Sequence, residues 1–205
     1  MLRQVPAHVR PAIEALFQLD AAMGDIVARA TQPTLAAAKL AWWRERLEAL
    51  DSGPPPAEPR LQGAFEHLVP KDLTGADLSQ LEDGWATLLE ETVDPNRVAG
   101  RGSHLFQLAA RLLGDEHQSL DHAGALYALV SVGRRGVPEL LAHARATAAN
   151  LARHRFPRRL RPLSGLARLA MRDLQSGEPF ESEGSPPRLA AMLRHQWSGI
   201  VTRGN

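Results

Sequence analysis

The 205-residue sequence predicts an all-α protein, a single helical domain over residues 1–205 built of eight to nine helices. Three observations carry that prediction. Alanine and leucine dominate while β-branched residues are sparse, apolar residues recur at helical rather than alternating spacing, and turn residues arrive at helix-length intervals. With 44% hydrophobic and 23% charged residues the composition is that of a folded chain with one substantial core.

The elements follow in order. Pro11 takes the favoured first-turn position of a helix to about residue 30, with Leu16, Leu19, Met23, Ile26 and Val27 on one stripe. Thr31 caps a second helix over about 33–51, which stops at Gly53-Pro54-Pro55-Pro56. A short third covers about 60–68, closed by Pro70. Thr74 or Ser79 opens a fourth through Leu81, Trp85, Leu88 and Leu89. Helices over about 101–113 and 117–132 end at Gly114 and Gly133, the residue type favoured just past a helix end. Pro138 begins another to about 154, and segments 158–174 and 187–201 complete the set. Gly100-Arg101-Gly102-Ser103 reads as a loop with a serine cap, and the Gly, Pro, Ser and Glu-rich stretch 176–187 as a mobile loop.

Charge is segregated although the net value is only +1. Between Glu45 and Asp94 twelve acids face three basic residues; between Arg134 and Arg172 ten arginines face Glu139 alone. The densest run, Arg153, Arg155, Arg158, Arg159 and Arg161, predicts a basic surface suited to phosphate, anionic lipid or an acidic partner. Several classes of chemistry lack their residues. With no cysteine there is no disulfide, thiolate zinc site or cysteine nucleophile, a composition that fits a reducing cytoplasm. The eight histidines form no metal-binding spacing, so the expected metal ligands are none. Neither a phosphate-binding Gly-x-x-x-x-Gly-Lys loop nor a Gly-x-Ser-x-Gly elbow occurs. The basic run has no helix-turn-helix around it, which argues against nucleic acid as partner. No apolar run approaches membrane-spanning length, and the first residues lack the pattern of a signal peptide.

The most distinctive stretch is Lys39-Leu40-Ala41-Trp42-Trp43-Arg44-Glu45-Arg46-Leu47, preceded by Thr31-Gln32-Pro33. It resembles the second-helix signature of the squalene/phytoene synthase family, Arg-Leu-x-Trp-Trp-Arg-x-x-Leu after a Ser-Glu-Pro-like turn. Helical spacing puts Trp43 with Leu40, Leu47 and Leu50 on a core stripe, with Trp42 at its edge. Behind it, Leu81-Glu82-Asp83-Gly84-Trp85 sits where the family has an acidic helix. Arg97-Val98-Ala99-Gly100 resembles a turn before the next helix, and the segment from Ala128 to Arg135 falls where active members carry Asn-x-x-Arg-Asp. The resemblance implies an isoprenoid synthase-like helical shell around an apolar cavity. In active members it implies Mg²⁺-dependent head-to-head joining of two prenyl diphosphates.

That chemistry needs carboxylates three or four residues apart, because several hard cations must screen a diphosphate from one cavity. Asp20 and Asp25 are five apart, about 140° around a helix, so one face does not present both. Asp83 has no acid three or four residues on. Ser131 and Arg135 stand where the family has Asn and Asp, and a guanidinium repels a magnesium ion. The Gly-Arg-x-Tyr-Leu-Pro-like segment is missing too. Asp20, Asp25 and Asp83 are therefore vestigial, and no cofactor is expected; Mg²⁺ belongs only to the alternative of a prenyl diphosphate transferase. A third reading is an unrelated helical adaptor. The leading expectation is a non-catalytic member that binds a lipid-like or isoprenoid ligand, or a partner protein; degenerate relatives of the family include factors that help assemble respiratory complex I. Trp42, Arg44, Arg134 and Arg135 are the candidate ligand contacts, with a cytoplasmic location and peripheral contact with an anionic inner membrane.

Overall fold

Ten α-helical segments form among the described residues, 4–151 and 154–202 of this computed structural model, and eight of them are nine residues or longer. The sole strand-like pairing there is an isolated bridge between Arg155 and Ile200. The helices are α1 (Arg10–Ala28), α2 (Pro33–Glu48), α3 (Pro59–His67), α4 (Gly75–Ser79), α5 (Asp83–Ala86), α6 (Pro95–Leu113), α7 (Leu120–Gly133), α8 (Leu140–Ala149), α9 (Arg161–Ser176) and α10 (Pro186–Ser198). Six of them carry proline in the first two positions, where its fixed φ is preformed for helix and its missing N–H would have no partner. Side chains close other starts. Thr74 and Asp77 form a reciprocal capping box on α4, and Asp94 accepts from the Asn96 N–H at 2.8 Å.

The middle of the chain departs from the sequence expectation in two ways. The predicted fourth helix is broken: α4 and α5 are short pieces joined by a turn, followed by a 3₁₀ turn at Thr87–Leu89. Asp51 explains the early start of α4, since its carboxylate takes the N–H groups of Gly75 (2.6 Å) and Ala76 (3.1 Å) and ties that helix end to α2. Further on, α6 begins at Pro95, so Arg97 to Ser103 is helix interior rather than turn and loop. Gly102 has a packing reason to be there. A Cβ on it would run into the carbonyl oxygen of Gly124 on α7, and a Cβ on Gly124 into that of Gly102. The two backbones touch because neither residue has a side chain.

From that crossing α7 turns back along α6, with Ser103 Oγ donating to the Asp121 carbonyl and Gln107 to its carboxylate, both at 2.8 Å. It is buried almost all round, and α8 and α9 pack on it while α1 and α5 pack on α6. A continuous apolar core runs from Val5 to Val201, so the chain is one body. Gly114 ends α6 in the left-handed conformation, as read from sequence. Gly133 instead stays inside α7, against Leu141. Among the described residues no helix is long and apolar enough to cross a membrane.

Candidate functional site

Asp20, Asp25 and Asp83 lie in three different places, and each faces an arginine. Asp20 is in the core, where α1 meets α5 and α6. Its carboxylate accepts from Arg101 Nη1 at 2.6 and 2.9 Å and from the Trp85 indole N–H at 2.9 Å. The Arg101 guanidinium lies over the Trp85 ring, 3.8 Å from its centre. Gly24 makes room for that indole, since a Cβ there would stand 2.8 Å from it. Asp83 accepts from Arg97 at 2.9–3.0 Å on the surface, and exposed Asp25 lies 3.7 Å from Arg29. No group of three or more His, Asp or Glu among the described residues is arranged to hold a metal ion.

The four candidate ligand contacts divide into two places. On α2, Trp43 is buried with Ala36, Leu40 and Leu47, and Trp42 stands edge-on to it at 5.7 Å and is 40% exposed. Arg44 is 3.7 Å from Glu82, whose carboxyl is pushed up from its ordinary range by burial. Arg134 and Arg135 lie elsewhere, at the end of α7, on a cleft of about 500 Å³ between α7, α9 and α10. Its apolar wall comes from Leu166, Leu169, Leu189 and Met192. Beside it Asp173 is clamped by Arg134 (2.8 Å) and Arg188. Burial pushes that carboxyl up, against the pull of the Arg188 and Arg134 charges. Arg134 also donates to the Glu181 carbonyl, and Arg172 grips the Glu181 carboxylate with two nitrogens, so the stretch read as a mobile loop is pinned in its middle. The Arg135 side chain is exposed, with no hydrogen-bond or ion-pair partner among the described residues. The result is an apolar slot whose charged lining, Arg134, Arg135 and Arg188 against Asp173 and Glu183, carries one net positive charge.

The basic run mostly closes helix ends. Arg155 donates to the Ser198 carbonyl (3.0 Å), Arg159 to the Gly114 carbonyl (3.2 Å), and buried Arg161 to those of Gln196 (2.6 Å) and Phe156 (3.3 Å). These include carbonyls left over at the ends of α10 and α6, where the helix dipole favours a cation. Arg158 is exposed and unpaired among the described residues, and Arg153 lies outside them. No family model, curated protein or solved structure matches this chain.

One catalytic-looking pair escaped the sequence reading, because its members are 31 residues apart. Ser164 Oγ lies 2.8 Å from His195 Nε2, and His195 Nδ1 is 3.2 Å from the Ile200 carbonyl. The carbonyl oxygen can only accept, so Nδ1 carries the proton and donates it in the bond to Ile200, which leaves Nε2 to accept from the hydroxyl. This is the tautomer of a nucleophile–base pair. Both residues are fully buried in the α9–α10 interface, however, so the serine meets no substrate and the pair fastens one helix to the other.

Proposed function

We propose that the protein is a non-catalytic binding protein, a degenerate relative in kind of the squalene/phytoene synthases, that holds an anionic amphiphile in the cleft between α7, α9 and α10. The observation that carries this reading is the cleft's division of labour. Leu166, Leu169 and Met192 offer an alkyl or prenyl chain a dry wall, and unpaired Arg135 stands at the mouth for its charged head. The acids support the same reading from the other side. Asp20, Asp25 and Asp83 are dispersed and each faces a guanidinium, so no pair of them converges on a diphosphate-bound cation.

Farnesyl diphosphate is the suitable probe, titrated calorimetrically with and without Mg²⁺. Binding is expected without the metal and should weaken roughly tenfold in Arg135→Ala, the size of one charge-assisted contact. Pyrophosphate release should stay at background. Mg²⁺-dependent release well above background would overturn the non-catalytic reading in favour of a prenyl transferase, and unchanged affinity in Arg135→Ala would remove the cleft as the site.

A further inference from the structure

Three of the six exposed large apolar side chains among the described residues belong to α10, and they form a row. Leu189, Leu193 and Trp197 follow at intervals of four residues and are 56%, 61% and 83% exposed. Four residues is slightly more than one helical turn, so the three climb one face over roughly 12 Å. Single exposed leucines are ordinary, whereas an outward apolar ridge on a helix fastened by its other side needs a partner. The fastening is clear: Ala191 and His195 are buried, and Arg155 and Arg161 hold the carbonyls at the helix end.

The exposed charges around the ridge are mostly positive, with Glu183 the one exposed acid that lines the cleft beside Leu189. α10 contains Arg188 and Arg194 and no acid. Exposed Arg194 follows Leu193, exposed Arg158 shares a surface hollow with Trp197, and Arg135 shares the cleft with Leu189. We infer that this face of α10 docks on an anionic lipid bilayer, with the leucines and the indole entering the headgroup layer and the arginines meeting lipid phosphates. A ridge suits a deformable surface, and Trp and Arg are the side chains that settle at its polar–apolar boundary. A second copy meeting this face about a two-fold axis at the central Leu193 would set Arg194 near its own counterpart, a like-charge contact that opposes association. The inference stands on the α10 face and does not require the cleft to be filled.

The test is sedimentation with vesicles, either pure phosphatidylcholine or phosphatidylcholine containing about one third phosphatidylglycerol, with tryptophan emission read in parallel. The protein is expected to bind the anionic vesicles and not the neutral ones, with a blue shift. Trp197→Phe should keep the binding and lose most of the shift. The double variant Leu193→Glu, Trp197→Ser should bind at least about tenfold more weakly while its circular dichroism and melting temperature stay unchanged, because both side chains are exposed. Absence of binding to anionic vesicles, equal binding by the double variant, or a solution dimer that the double variant dissolves would each overturn the inference. Failure here leaves the cleft reading standing, since the farnesyl diphosphate titration contains no vesicles.

Discussion

Asp20 carries the charge whose surroundings matter most to the core. It is 5% exposed, its main partner lies 81 residues away, and two nitrogens of that partner, Arg101 Nε and Nη2, are buried without a hydrogen-bond acceptor. Removing the carboxylate leaves a guanidinium buried and uncompensated. Asp20→Ala should therefore cost about 3–5 kcal/mol in urea unfolding, and Asp20→Leu with Arg101→Met should recover most of it, because a matched apolar pair replaces a buried ion pair at little net cost. Sequence spacing already separated Asp20 from Asp25; it could not reveal where Asp20 turned, since nothing local in α1 marks a partner on α6. His195 makes the second prediction at this scale. Burial pushes its imidazole down to about 4, with the Arg168 and Arg161 charges adding to the effect and the Ile200 bond opposing it. Above pH 6.5 the ring is neutral in both folded and unfolded chains and has no linkage. Between 6.5 and 4 the unfolded chain takes up a proton that the folded one refuses, so stability falls with acidification by about 3 kcal/mol in total. Urea midpoints between pH 7 and 5 should fall for the wild type and flatten for His195→Gln.

Among the elements, the crossing of α6 and α7 is set by glycine. Gly102→Ala or Gly124→Ala puts a methyl group into a facing carbonyl and should destabilise by about 3 kcal/mol or more. Gly100, two residues away on the exposed side of α6, has nothing within 4 Å of where a Cβ would go. Gly100→Ala should stabilise by about 0.5–1 kcal/mol, from helix propensity and the reduced freedom of the unfolded chain. Melting curves of the variants separate the two effects by sign. The same pair shows what sequence could and could not tell. Some helix starts were legible from the proline that opens them, as at Pro33, and so was the end of α6, where Gly114 takes the left-handed conformation. Two glycines flanking Arg101 read as a loop because a glycine required for contact looks like one required for a turn. Only the neighbouring helix distinguishes them. Asp94-Pro95 was the overlooked signal, a capping carboxylate before a first-turn proline.

For the molecule as a whole, the segregation of charge proved to be two things at once. The cleft mouth at Arg135 and the flank of α10 were partly legible, because a block of arginines without acids predicts a basic surface. The apolar ridge was not, since Leu189, Leu193 and Trp197 have the spacing of a core stripe, and only the packing decides which side of α10 faces inward. Much of the arginine run, meanwhile, is spent on carbonyls at the ends of α6 and α10. Ionic strength should tell these two uses of one residue type apart. At about 1 M salt the screening length shrinks to about 3 Å, which is enough to abolish attraction to a charged lipid sheet but not a direct contact with a peptide oxygen, least of all one made by a buried guanidinium. Raising salt should thus release the protein from vesicles while its melting temperature stays flat, so the arginines that hold α10 in place outlast those that carry it to a surface.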